Sequence, residues 1–163
     1  IYHYIKNKWY FLEHRYLVFE EFKYFTGLKY IGGNGSLIDL KNNFNNCYKL
    51  KAITIPLTIS SLYYGCFVRT SLETLILPEN IKIFANDELI VSNSNLKLII
   101  IKSNTLELLT RGRLFFFRNN PDLKIYCKPK VYEVLYNRYI ETNTYDLISY
   151  LVKYENENEL PKL

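Results

Sequence analysis

The sequence predicts a β-rich α/β fold: a short solenoid of stacked repeats with a parallel sheet on one face, capped by an aromatic N-terminal segment and C-terminal helices. Three observations predict it. First, a phrase recurs. Leu50-Lys51-Ala52-Ile53-Thr54-Ile55-Pro56 returns as Leu72-Glu73-Thr74-Leu75-Ile76-Leu77-Pro78, and without the proline as Leu96-Lys97-Leu98-Ile99-Ile100-Ile101. Fainter copies lie at Leu28-Lys29-Tyr30-Ile31 and Leu123-Lys124-Ile125-Tyr126-Cys127. The lead leucines at 28, 50, 72, 96 and 123 are spaced by 22, 22, 24 and 27 residues. A step of that size marks like units laid on one another rather than a chain folded around one central core. Second, each L-x-x-I-x-I phrase alternates as a short strand does. Third, breakers recur at matching places. Pro56 and Pro78 end the strand because proline cannot donate to a ladder. Asn45-Asn46, Asn93-Ser94-Asn95 and Asn119-Asn120-Pro121 supply turn chemistry before the next strand.

Three parts follow in order. Residues 1–19 are dense in aromatics and lack the repeat. Trp9, Phe11, Leu12, Tyr16 and Phe19 can bury one face, and the segment is expected to cap the open end of the stack or to link to a preceding domain. Residues 20–128 carry the repeats. Each starts with a large apolar residue five or six positions before its lead leucine: Phe22, Phe44, Phe67, Ile90 and Phe117. After the proline, Ile59 and Leu62 match Ile81 and Phe84, so the chain turns back across the stack there. Residues 129–163 change character. Val131, Leu135 and Tyr139 have helical spacing after Pro129. A second helix is expected next, capped by Asn143 or Thr144, with Asp146 in its first turn and Leu147/Leu151 and Ile148/Val152 as its i, i+4 pairs. Glu155 to Glu159 is polar and is expected to fray. This last part is expected to act as a helical cap or attachment element.

Composition narrows the function. With 163 residues the chain is long enough for one domain with a sizeable core. Its 16 tyrosines and 10 phenylalanines suit half-exposed sites and interfaces, since tyrosine joins a large apolar ring to a polar tip. No apolar run approaches the ~20 residues a membrane span needs. The net charge of +5 is scattered, without the basic run of a nucleic-acid tail, and reads as a solvated, mildly basic surface. Methionine is absent and the chain opens on Ile1, which leads us to expect a trimmed piece of a longer product.

Nothing in the pattern points to catalysis, a metal or a cofactor. Cys47, Cys66 and Cys127 form no C-x-x-C pair, and their odd count leaves at least one unpaired within the chain. Cys47 and Cys66 are expected as buried thiols. His3 and His14 share no helix face and have no partner at ligand spacing. Gly32-Gly33-Asn34-Gly35-Ser36 is followed by Leu37-Ile38-Asp39-Leu40 rather than by a lysine and a helix, so it reads as a turn and not a phosphate loop. Glu73, Glu79, Asp87 and Glu88 show no paired setting, and no nucleophile, base and acid fall into an array.

The repeat resembles the BspA-type leucine-rich repeat, F-x-x-C-x-x-L-x-x-I-x-I-P-x-x-I-x-x-I. Phe44, Cys47, Leu50, Ile53, Ile55, Pro56, Ile59 and Leu62 fit one unit, and Phe67, Leu72, Leu75, Leu77, Pro78, Ile81 and Phe84 fit the next. Asn120-Pro121-Asp122-Leu123-Lys124-Ile125-Tyr126 is similar to the closing unit of such arrays. The family's small residues are largely lost, which fits a diverged array adapted to one fixed job. Glu20-Glu21-Phe22-Lys23-Tyr24-Phe25-Thr26-Gly27-Leu28 further resembles the opening of arrays in proteins of gut Bacteroidales and their phages. What the resemblance implies is a non-catalytic protein-interaction or adhesion module at a virion or cell surface, such as a phage tail or fibre component. The alternative is a target-recognition domain of a larger enzyme or effector. In such a repeat the strand residues that alternate with the buried ones point to the open face of the sheet. Here those positions hold Thr54, Thr74, Ile76, Leu98, Ile100 and Tyr126. Four of the six are apolar or aromatic. Such a patch should either be covered by the chain's own ends or dock a protein partner, whether assembly component or host receptor.

Overall fold

The computed structural model of the chain describes residues 17–19, 30–31, 50–53, 55–63, 67, 70–81, 83–85, 95–108 and 120–162. Among these, ten short strands and one α-helix follow in order: β1 (Leu17–Phe19), β2 (Tyr30–Ile31), β3 (Leu50–Ile53), β4 (Ser61–Tyr63), β5 (Thr74–Leu77), β6 (Ile83–Ala85), β7 (Leu98–Ile101), β8 (Glu107–Leu108), β9 (Lys124–Cys127), α1 (Pro129–Glu141) and β10 (Leu151–Lys153). From β1 to β9 successive strands feed different ladders, and β10 then joins the same sheet as β9. β2, β4, β6 and β8 form one four-stranded sheet, β5, β7, β9 and β10 another, and β1 pairs with β3. Every pairing is parallel. β3 reaches toward β5 through backbone bonds from the Ser71 amide to the Leu50 carbonyl (3.0 Å) and from the Glu73 amide to the Lys51 carbonyl (3.2 Å).

The turns explain the alternation. After each proline the chain closes one tight turn, with the Ile59 amide on the Pro56 carbonyl (3.1 Å) and the Ile81 amide on the Pro78 carbonyl (3.2 Å). The missing proline N–H ends one strand, and the turn aims the chain at the other ladder. Asn120-Pro121-Asp122-Leu123 makes the same turn before β9, with the Leu123 amide 3.1 Å from the Asn120 carbonyl. The buried Asn120 side chain donates to the Leu96 carbonyl in the preceding unit.

Between the ladders the side chains stack in rows. The lead residues Leu50, Leu72, Leu96 and Leu123 are all buried, as expected of the repeat. Next come Leu75, Ile99, Ile125 and Leu151, then Leu77, Ile101 and Cys127, each set in direct cross-strand register. Phe67, Ile59 and Ile81 fill the same cluster. The register step is 24 residues from Thr74 to Leu98 but 26 from Leu98 to Lys124, although the lead leucines 96 and 123 are 27 apart. The last unit therefore reads L-x-I-x-C, one residue shorter between lead leucine and strand.

Three expectations need correction. The phrase Leu28-Lys29-Tyr30-Ile31 is not a further lead strand: Tyr30 and Ile31 pair with Ser61 and Leu62, in the ladder that receives the chain after the proline. The lead position is taken by Leu17–Phe19, which pairs with β3 from inside the segment read as a cap. A two- or three-residue alternating stretch carries no mark of which ladder it will join, and here pairing decides. At the other end, α1 forms as expected and buries Val131, Leu135 and Tyr139. The second helix is shorter than expected: Tyr145–Tyr150 forms a 3₁₀ helix with Thr144 at its N-cap and Asp146 in its first turn, but Leu151–Lys153 leaves it to become β10, parallel to β9. Leu151, Val152 and Lys153 satisfy the open edge of β9, whose backbone groups a helix would have left bare. The segment expected to fray also holds a defined turn, Glu157–Glu159.

Candidate interaction surface

Strand alternation sets two outward rows on the β5-β7-β9-β10 sheet. Thr74, Leu98 and Lys124 lie in register, and Ile76, Ile100, Tyr126 and Val152 lie two residues further on. Five of the six residues expected on this face fall in the rows, and Thr54 lies outside the described residues. Thr74, Ile76, Leu98 and Tyr126 are half-buried. Ile100 differs, since only 1% of its surface is exposed although it is no part of the main core cluster. The four-residue apolar run of β7 thus has one inward pair, Ile99 and Ile101, and one outward pair, of which Leu98 reaches solvent.

Val152 belongs to this row and was not foreseen, because Leu151–Lys153 reads as helix in a helical context. The alternation in Leu151-Val152-Lys153-Tyr154 was the available signal. α1 does not lie over the outward rows in the sense of joining them: its buried Val131, Leu135 and Tyr139 belong to the cluster of the inward rows. The helix ends in a Schellman-type stop, with the Thr144 amide on the Tyr139 carbonyl (2.9 Å), the Asn143 amide on the Ile140 carbonyl (3.1 Å) and Asn143 at φ 54°. That sharp stop returns the chain to the edge of β9.

The residues after the lead leucines flank the outward rows with charge. Glu73 bridges Lys51 (3.4 Å) and Lys97 (3.8 Å) across neighbouring units, and Lys124 donates to the Ser149 carbonyl (3.3 Å). Exposed pairs like these contribute about 0–1 kcal/mol each, so they tune the field of the surface more than its stability. At the other end of the strands, Lys102 pairs with Glu157 at 2.9 Å. Burial pushes the Cys127 thiol up to about 12, with Lys153 opposing, which makes it an inert core thiol at neutral pH. Cys47, Cys66, His3, His14 and the glycine cluster lie outside the described residues. Among the described residues no three metal-ligating side chains gather, and no helix is long and apolar enough to cross a membrane.

Parallel ladders fed by a recurring leucine phrase define a repeat protein, with a half-apolar sheet face as its most distinctive surface. Residues 16–135 match the family model of the BspA type leucine rich repeat region in six copies, and the chain belongs to this family. The match starts beside β1, in keeping with a repeat strand there, and ends within α1. Neither the curated proteins nor the solved structures gave a match.

Proposed function

We propose that the chain is a short capped solenoid serving as a non-catalytic protein-interaction module, with the outward rows of the β5-β7-β9 sheet as its docking face. The observation that carries this reading is the set of half-buried apolar residues Ile76, Leu98 and Tyr126, Ile76 and Tyr126 flanking Ile100 in one row and Leu98 in the next, on a sheet face where alternation calls for polar residues. The repeat family supports protein binding in general. Within that, we assign the chain to a structural or receptor-binding role in a phage virion (tail or fibre) or a bacterial surface assembly, on the likeness of residues 20–28 to arrays of that origin. Thr74 would supply a polar contact at the rim, and Leu98, Ile76 and Tyr126 the apolar centre; Ile100 would support them from beneath, and Thr54, outside the described residues, is proposed as a further polar contact from its place in the repeat alone. The division expected from sequence, with 1–19 as cap or linker, 20–128 as repeats and 129–163 as C-terminal cap, goes with this proposal, amended by the pairing of β1. The test is native mass spectrometry of complexes recovered with the tagged chain from its source. Fixed-ratio association with capsid, tail or envelope proteins, lost in Leu98→Asp, is the expected result. A lone chain would overturn the assembly role, and retention of partners by the variant would overturn the docking face.

A further inference from the structure

The lysines at the two ends of the outward rows are satisfied differently. At the C-terminal ends of β7 and β9 the chain's own tail supplies their partners. Lys102 meets the Glu157 carboxylate at 2.9 Å. Lys128 donates to the Glu155 carbonyl at 2.7 Å, and its ammonium sits 4.4 Å from the centroid of the Tyr154 ring. At the N-terminal ends of the strands the partners run short. Glu73 is shared between Lys51 (3.4 Å) and Lys97 (3.8 Å), and the Lys97 side chain stays 65% exposed. Lys124 meets a carbonyl, that of Ser149, and among the described residues no carboxylate pairs with it. On this rim the ammonium groups of Lys51, Lys97 and Lys124 thus stand against the single carboxylate of Glu73. Leu98 sits between two of them: it follows Lys97 in the chain and is the cross-strand neighbour of Lys124. Ile76 and Tyr126 lie one row further from this rim.

Ammonium groups left short of carboxylates at the edge of an apolar surface attract acidic groups from outside, and partner surfaces match in sign this way. We propose that the docking face takes an acidic and apolar segment of a protein partner, with carboxylates meeting Lys97 and Lys124 on either side of an apolar side chain seated on Leu98. This inference rests on the docking face proposed above and adds the chemistry of its occupant. Protein fits the face better than nucleic acid for two reasons. Its centre is aliphatic at Ile76 and Leu98 with one aromatic ring, Tyr126, whereas a surface for bases stacks successive bases on several rings. Glu73 also lies within the cationic rim, where it repels a continuous run of phosphates but leaves room for separate carboxylates on either side.

The probe is a labelled peptide, Glu-Leu-Asp-Phe-Glu-Leu-Asp, titrated by fluorescence anisotropy into the full chain at low salt, beside its neutral counterpart Gln-Leu-Asn-Phe-Gln-Leu-Asn. The acidic peptide is expected to bind at least about tenfold more tightly than the neutral one, and to lose that margin in Lys97→Glu/Lys124→Glu. Glu73→Gln removes the competing carboxylate and is expected to tighten the complex; a weaker complex would contradict the proposal. If the double reversal does not fold, Lys97→Gln/Lys124→Gln gives the reading, with weaker binding expected and unchanged affinity contradicting the acidic occupant. Leu98→Ser, which alters no charge, separates this inference from the docking face beneath it. Binding that falls in the lysine variants but ignores Leu98→Ser overturns the docking face and this inference with it. Binding that falls in Leu98→Ser but is equal for both peptides leaves the face standing and overturns its acidic occupant. No binding of the acidic peptide, or tighter binding of oligothymidylate that is lost in the lysine variants, would likewise overturn the proposal.

Discussion

Leu98 and Ile100 stand two positions apart on one strand and face the same side, yet one reaches solvent and the other does not. Sequence alone assigns both to the outward face, because alternation reports direction and not cover. Two other side chains show what burial does to chemistry. The Cys127 thiol is pushed up to about 12 by burial, so the folded chain keeps its proton where the unfolded chain loses it near the ordinary 9.0. Stability from this group is complete below pH about 9 and declines as pH climbs toward about 12, by on the order of several kcal/mol. Tyr154, pushed up to about 12 by burial with Glu157, Cys127 and Glu79 adding, extends the loss upward from its ordinary 10.0. Urea unfolding across this range should show the decline starting about one pH unit later in Cys127→Ala than in the unchanged chain; coincident onsets would refute the assignment. Tyr139 is buried with its hydroxyl unpartnered, and burial, with Cys127 adding, raises its pKa. Tyr139→Phe should therefore leave stability unchanged or raise it by about 1 kcal/mol, as read by thermal unfolding. A clear loss would mean that the hydroxyl has a partner.

At the scale of elements, the repeat rows are the part of the fold that residue pattern makes plain. L-x-x-I-x-I fixes direction through period two, proline fixes the strand end, and the lead leucine fixes the unit; Leu72→Ala should cost about 2–5 kcal/mol in chemical denaturation, where a loss under about 1 kcal/mol would contradict its core place. α1 was legible for the same kind of reason, since Val131, Leu135 and Tyr139 share one face. Leu147 to Val152 was legible only in part: Leu147–Tyr150 lies in the 3₁₀ helix that Thr144 starts, whereas Leu151 and Val152 join a strand. The i, i+4 pairs fit a helix, but the unfilled edge of β9 is a feature of the partner strand and leaves no trace in the segment itself. Tyr30–Ile31 illustrates the same limit in the first unit, where phrase likeness named one ladder and pairing chose the other. Of the candidate face, the outward positions were legible from alternation, whereas the burial of Ile100 and the addition of Val152 depend on cross-strand neighbours.

At the scale of the whole molecule, the parts divide the work. Inward rows and α1 share one apolar cluster, which leaves the outward face of the sheet free of that duty. Charge collects at both ends of the strands, around Glu73 on one side and around Lys102 and Lys128 on the other. A half-apolar face between charged rims fits a protein partner better than a small molecule. In register, Leu98 faces Lys124, so an aspartate at 98 would meet an ammonium group, and the fold should tolerate it. The most direct test of the account is therefore native mass spectrometry of what the chain carries when recovered from its source, compared with Leu98→Asp of unchanged circular dichroism. The account predicts fixed-stoichiometry complexes for the unchanged chain and none for the variant. Equal complexes from both would contradict the docking face.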